Sequence, residues 1–470
     1  MTPEEKLQLD LRDFWRIHEG LETYVKLDAK GMMERLKAHK EDAFCEVTDY
    51  AGTGKLMCSR DGHDAIYDLA ERHRDSMPVP DDYSVTELAG GIRIHIVRAI
   101  VDEKQDEPAL ARVLAEALRD ADKNHMERTY HFPCVVVPYD EPPQFRIGVV
   151  GFTAAKSFRQ AMATEIQQYV ERSSDQAHAT DRVARFEEYI AHLGWVASVT
   201  IPPCAEESAR RRAEVAVTTA INLLRLVFGV DYGRDMRLAH SAHVQPLHTE
   251  HAVSQNGKLS LVWSSKGSGA LVEKNWYLLM DKWQDFWLGA AHLISTTVVG
   301  KRSEVAERVV DALGWFGDAA FESAPGVQIV NFVAALERLA TTESFSTHKF
   351  CSRVALLTFE DDSTFEKTYW DAYAIHTARS GVIHGGFSPS SPKFLKTVRL
   401  AHDVTRTALF RALEVHCLLD DSGMLSDLAD LQNFFVSEQS KRAVVLSRLR
   451  DELKRQIKEA KKNIGRRKLG

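Results

Sequence analysis

From Glu273 onward the sequence settles into one pattern: six amphipathic stretches separated by short punctuation. Trp276 to Thr297, Ser303 to Phe321, Val327 to Thr342, Phe350 to Leu357, Phe365 to Val382 and Lys393 to Leu419 repeat apolar residues every three or four positions. That is the period of a helix with one buried face. The breaks between them are Gly300, Pro325-Gly326 and Ser388-Pro-Ser-Ser-Pro392, residues that stop helices rather than continue them. Helices joined so closely bury their apolar stripes by packing on one another. Residues 273–425 are therefore expected to form an all-helical domain of ordinary size.

The rest of the chain reads differently. Residues 1–128 are mainly helical, with clear periods at Glu4 to Leu27, Asp64 to Arg74 and Pro108 to Ala121. Residues 129–272 are mixed α/β. Tyr130 to Pro138 and Phe145 to Phe152 are rich in Val, Ile and aromatics and flank a turn at Glu141-Pro142-Pro143. Trp195 to Ile201, stopping at Pro202-Pro203, and Lys258 to Ser264 add strands, and Thr153 to Ser173 and Glu206 to Phe228 add helices. Residues 426–470 form a charged helical tail with Leu446, Leu449, Leu453 and Ile457 along one stripe. The fold class is α+β and mostly helical: a mixed N-terminal region, a helical bundle and a basic C-terminal helix.

Charge is unevenly placed. The chain of 470 residues carries a formal net charge of -7, yet Lys441 to Gly470 holds 12 Lys or Arg against 3 Asp or Glu. That stretch is +9, so the remainder is -16. The chain is not a uniformly basic nucleic-acid binder, but its tail has the charge of one. Lys454, Arg455, Lys458, Lys461, Lys462, Arg466, Arg467 and Lys468 could follow a phosphate backbone. They could equally be a solvated end or a contact with the acidic body, and the leucine stripe could dock on the body or on a second copy. Composition, 44% hydrophobic and 27% charged, excludes a mainly disordered chain. Six cysteines with no CxxC pair point away from zinc knuckles and redox dithiols and toward a cytoplasmic protein. The polar start MTPEEKLQLD is unlike a signal peptide. No run approaches about 18 apolar residues, so no membrane partner is expected.

Four constellations could carry chemistry. Asp49-Tyr-Ala-Gly-Thr-Gly-Lys55 is close to a phosphate-binding loop, but Asp49 stands where the first Gly belongs and Leu56 where Ser or Thr would hold the metal; it reads as a polar turn. His240, His243, His248 and His251, beside Glu250, carry imidazoles that could close a four-coordinate metal site and support a metal-dependent hydrolase. Pro246 and polar neighbours read as a solvated loop instead. Trp276, Trp283 and Trp287 lie at helical spacing and read as core.

The fourth is Arg379-Ser-Gly-Val-Ile-His384. A guanidinium grips phosphate bidentately and an imidazole moves protons near neutral pH. The two suffice for RNA cleavage without a metal: Arg neutralises the scissile phosphate and His handles the proton of the 2′-hydroxyl or the leaving oxygen. Five helical positions turn through about 140°, so the pair shares no helical face. The spacing works if the helix ends near Gly381 and Gly385-Gly386 turns the chain, folding His384 back toward Arg379. Spacing alone does not single this pair out, because Arg and His separated by four to six residues occur eight times in the chain.

Context does. Ala378-Arg-Ser-Gly-Val-Ile-His-Gly385, late in a helical domain, resembles the HEPN superfamily, most closely its Apea-like branch. Trp315-Phe-Gly-Asp318, Ala335-Leu-Glu-Arg-Leu339 and Ser352-Arg-Val-Ala-Leu356 resemble the same branch in the same order, over residues 275 to 420. The resemblance implies a bundle that forms a homodimer with the motifs of two copies facing each other. It implies a metal-independent endoribonuclease without cofactor, of the kind found in bacterial toxin and antiphage systems, acting on tRNA or another structured RNA. Arg379 would hold the phosphate and His384 would be the general acid or base. Ser380 matches the small polar position after the Arg, Glu337 would steady Arg379 from the neighbouring helix, and Arg353 would add positive charge to the cleft. Many relatives carry Tyr one turn before the Arg; here His376 stands there and Tyr373 lies further back, so His376 supplies a second titrating group or fills space. The N-terminal region would sense a trigger, phage-derived or a nucleotide. The alternative within this resemblance is a non-catalytic module that binds nucleotide or a partner protein.

Overall fold

The computed structural model describes residues 2–25, 45–48, 55–101, 107–239, 248–255, 258–265, 275–342, 346–359, 362–420 and 427–467. They are mostly helical with small antiparallel sheets, an α+β fold. The chain divides into two compact units, residues 1–129 with 200–213, and residues 130–199 with 214–470.

The first unit holds helices α1 (Pro3–Val25), α2 (Arg60–Arg74), α3 (Val85–Val101) and α4 (Glu107–Asn124), with a two-stranded ladder of β1 (Cys45–Thr48) and β2 (Lys55–Cys58). Phe14, Ile17, Leu69, Ile92, Ile96 and Val113 fill its core. Helices α1 and α2 touch at Gly20 and Gly62; a Cβ on Gly20 would sit 3.1 Å from the Gly62 Cα. Beside that contact Asp13 is fully buried between Arg16 (2.8 Å) and Arg72. Burial alone would raise the Asp13 carboxyl, but hydrogen bonds from Arg72 and Arg16 hold it below its ordinary value.

A five-stranded sheet of order β4-β5-β6-β3-β7 is made from β3 (Met126–Val135), β4 (Gln144–Ile147), β5 (Val150–Ala154), β6 (Trp195–Cys204) and β7 (Arg237–Leu238); all but residues 126–129 and 200–204 of it count with the second unit. The predicted strand Phe145 to Phe152 is a hairpin. Gly148 takes φ +56° at the turn, which favours glycine, and a Cβ there would meet the Ala291 Cα at 2.8 Å. The predicted helix Thr153 to Ser173 is two helices, α5 (Ala155–Ala161) and α6 (Ala163–Arg172), broken at Met162. Two further helices are α7 (Gln176–Leu193) and α8 (Glu206–Phe228), the second matching its predicted span. A short turn of helix, α9 (Val230–Gly233), follows, and then a ladder of β8 (His248–Gln255) and β9 (Lys258–Ser265).

From Asn275 on, the described residues are mainly helical, with the first of the six predicted helices split in two and the tail, read from the sequence as one helix, forming two. The helices are α10 (Leu278–Lys282), α11 (Gln284–Val299), α12 (Glu304–Phe321), α13 (Pro325–Ala340), α14 (Thr347–Thr358), α15 (Asp362–Ile383), α16 (Leu395–Asp420), α17 (Leu428–Lys441) and α18 (Ala443–Arg467). The first predicted helix is interrupted at Trp283, which leaves helical geometry (φ -124°, ψ 61°). Trp276 is core at 2% exposure, whereas Trp283 is 37% exposed, so the tryptophans do not form one buried stripe. Ser303 starts α12 by accepting from the Ala306 N–H at 3.1 Å, an ordinary N-cap. Helix α13 is central: it packs along α12, α15 and α16. Phe316, Phe332, Leu336, Phe350 and Tyr369 are buried between these helices.

Two of the sequence segments that resemble the HEPN branch are packing devices here. In Trp315-Phe-Gly-Asp318, Phe316 is buried and a Cβ on Gly317 would meet the Asn222 Oδ1 of α8 at 2.2 Å. Asn222 in turn accepts from the fully buried Arg225, whose guanidinium lies over Phe321 at 4.1 Å and is pulled down to about 9 by burial. In Ser352-Arg-Val-Ala-Leu356 every residue is buried.

Candidate functional site

Helix α15 carries the motif. It persists to Ile383, two residues beyond the expected end near Gly381, and the His384 N–H still bonds the Ser380 carbonyl at 3.0 Å. His384 therefore does not fold back toward Arg379; as a helical position it lies about 140° round the axis. Gly381 continues the helix because its missing side chain makes room for Phe387, whose Cδ2 would be 2.6 Å from a Cβ there. The stop comes at Gly385, with φ +71°. The Gly385 N–H bonds the Val382 carbonyl (3.1 Å) and the Phe387 N–H the Gly381 carbonyl (3.2 Å), closing the last helical carbonyls as a left-handed C-terminal residue does.

The turn after His384 is anchored from the far side. The Gly326 N–H donates to the Pro389 carbonyl at 2.7 Å, and a Cβ on Gly326 would be 2.8 Å from the Pro389 Cα. Pro325-Gly326, read from the sequence as a break between helices, is thus also a clamp on the motif loop. His384 itself is exposed, and its side chain has no hydrogen-bond or ion-pair partner among the described residues.

Arg379 lies inward. Its Nη2 is 3.5 Å from the Glu337 Oε2 of α13, with side-chain exposures of 29% and 22%. The distance exceeds that of a good N–H···O bond. The Arg379 Nε is buried without a hydrogen-bond partner among the described residues. Glu337 is pushed above the ordinary carboxylate range by burial, against the pull of Arg379. His376 lies one turn before Arg379 with its ring 5.2 Å from that of Phe350. Burial, and then the charge of Arg379, push its imidazole below the usual value. The ring is half-buried and packs in the bundle wall beside the arginine. Ser380 is half-buried, and its backbone serves His384.

Arg353 is not in the cleft. It is 1% exposed and donates to the Ala340 carbonyl (3.0 Å) and Thr342 Oγ1 (3.3 Å), with its guanidinium over Phe435 at 4.9 Å. Arg308, which sequence reasoning missed, donates to the Arg338 carbonyl at 3.0 Å and to that of Thr341. Both serve the C-terminal end of α13, where unpaired carbonyls and the helix dipole attract cations. The structure thus brings Arg379, Glu337 and His376 together, leaves His384 on another face, and assigns Arg353 to the interior.

The stretch Asp49 to Lys55 lies outside the described residues except for the β2 backbone at Lys55. Of the histidine cluster, His240 and His243 lie outside them and so do the side chains of His248, Glu250 and His251. Among the described residues no helix is long and apolar enough to cross a membrane. Compared with protein-family models, curated proteins and solved structures, the chain gives no match.

Proposed function

We propose that the chain is a metal-independent endoribonuclease whose working site is built from two copies. The observation that carries this reading is the state of Arg379: a guanidinium at the edge of a helical bundle, with five donors and one loose carboxylate contact. A group so placed has donors left for a phosphate, which it would take in bidentate fashion. His384 stands exposed on a turn fastened at both ends, by Gly385 and by the Gly326 to Pro389 bond. Because the two occupy different faces of α15, one copy presents its arginine and another its imidazole to the same linkage.

The chemistry follows from those two groups. A base draws the proton from the 2′-hydroxyl, whose oxygen attacks the adjacent phosphorus. The P–O5′ bond breaks and the 5′-oxygen takes a proton, leaving a 2′,3′-cyclic phosphate and a 5′-hydroxyl. His384 serves one of the two proton transfers, and Arg379 balances the charge on the phosphate oxygens as it grows. An exposed single-stranded loop of tRNA or another structured RNA gives the required access to the sugar. Bacterial defence or growth arrest is the setting that the family resemblance supplies.

One observation favours a second reading. The Arg379 to Glu337 pair and the helix-end position of His384 also suit a non-catalytic module in which the arginine is structural. RNA cleavage that persists in EDTA and is lost in both Arg379→Ala and His384→Ala supports the enzyme. Variants that cut as fast as the parent refute the catalytic assignment of Arg379 and His384; a parent that cuts no RNA leaves the binding module.

A further inference from the structure

Helix α18 settles one choice that the sequence left open. Leu446, Leu449 and Leu453 are 7%, 0% and 4% exposed, and the helix packs against α14 and α17. The leucine stripe is therefore spent on the chain's own bundle, which fixes the rotation of the helix and decides what its other side presents. Arg450, Lys454 and Lys458 recur every four residues and so fall on one line. All three are exposed.

Among the described residues the acidic body does not pair with this line. Among the described residues Arg450 and Lys454 approach only Asp451 of the same helix, at 4.0 and 3.8 Å, and Lys458 meets no acid. Arg448 alone reaches across, to Glu366 on α15. An autoinhibitory clamp would need the opposite arrangement. A membrane surface fits poorly as well, since an interfacial helix inserts its apolar face and here that face is buried in the bundle. What remains is a polyanion whose charges run in series.

We infer that Arg450, Lys454 and Lys458 form a contact line for the phosphate backbone of RNA, holding the strand that the Arg379 and His384 site cuts; this rests on the ribonuclease reading. The placement is consistent with that role. Arg448 fastens α18 to the first turns of α15, whose far end carries His384. Eighteen helical positions separate Glu366 from His384, about 27 Å, so the line grips the strand away from the scissile linkage. His348, which bonds the buried Tyr369 hydroxyl at 2.8 Å, marks where the line meets the bundle. Burial lowers its imidazole, and the charges of Arg450 and Lys454 lower it further.

The test is a salt titration of binding by the full chain. The probe is a single-stranded RNA of about 20 nucleotides, 2′-O-methylated so that it cannot be cut. The parent should bind it with a steep dependence on salt. The triple variant Arg450→Ala, Lys454→Ala, Lys458→Ala should bind about tenfold more weakly near 50 mM salt, with a log–log slope shallower by about 2. Equal affinity and slope in parent and variant overturn the inference, as does a parent that binds anionic vesicles of phosphatidylserine and not the RNA. Because the three side chains are exposed, an unchanged melting temperature confirms a folded variant. Cleavage of unmodified RNA is read separately. A parent that grips the probe through this line but cuts nothing overturns the ribonuclease reading; a parent that cuts while the triple variant binds equally overturns the contact line.

Discussion

The Arg379 guanidinium stands 3.5 Å from the Glu337 carboxylate, reaching from α15 to α13 across the wall of the helical bundle. The contact orients the arginine without saturating it. Arg379 keeps donors for a ligand, and Glu337 bears the cost of partial burial, which raises its carboxyl above the ordinary range.

If the fork of donors matters, charge alone cannot replace it. Arg379→Lys keeps the cation but loses the planar pair of N–H groups. It is expected to cut RNA about 100-fold more slowly, in line with the loss of one well-placed donor to a developing charge. Single-turnover cleavage rates check this; a lysine variant within a few-fold of the parent would refute the phosphate role.

The Glu337 carboxyl has a sign that melting curves can read. A folded-state value above the unfolded one means that the native chain holds the proton more tightly. The associated stability is full below the ordinary carboxylate value and is lost as pH rises through the raised one. Glu337→Gln mimics the protonated form. It should match the parent near about pH 4 and gain on it by about pH 7. A glutamine variant that loses ground over that interval would show that the Arg379 attraction outweighs burial.

The clamp on the motif loop yields a separate expectation. Gly326→Ala puts a Cβ 2.8 Å from the Pro389 Cα, a backbone atom that cannot step aside as a side-chain tip can. The 384–392 turn must shift, at about 1–3 kcal/mol. Displacing His384 by even about 1 Å could cost of the order of 100-fold in rate. Melting and cleavage measured together decide the matter. Full activity in a stable variant would mean that the loop position is irrelevant to catalysis.

Much of the helical architecture was legible because its signal is local. The period of three and four, with Ser303, Gly300 and Pro325 at the ends, located α12, α13, α15 and α16 to within a few residues. What escaped was whatever depends on a neighbour. Gly381 looks like a helix stop in one dimension; only the Phe387 ring against it explains why the helix runs on to Ile383. Arg353 looks like a cleft cation until the carbonyl of Ala340 appears beside it. Gly148 and Met162 split elements that periodicity had joined, and Trp283 did the same to the first helix of the bundle. At the candidate site, Glu337 lies 3.5 Å from Arg379 across two helices, an approach that no spacing rule in the sequence would have found. The 140° between Arg379 and His384 was legible from the start; the turn expected to remove it is absent.

That angle makes the two-copy site testable by mixing chains. Arg379→Ala supplies an intact His384, and His384→Ala supplies an intact Arg379. Each variant alone should be inactive. Combined in equal amounts under subunit exchange, half of the dimers are mixed and each holds one whole site, so cleavage in EDTA should return to about a quarter of the parent rate. A mixture that forms mixed dimers yet cuts no better than either variant would contradict the account.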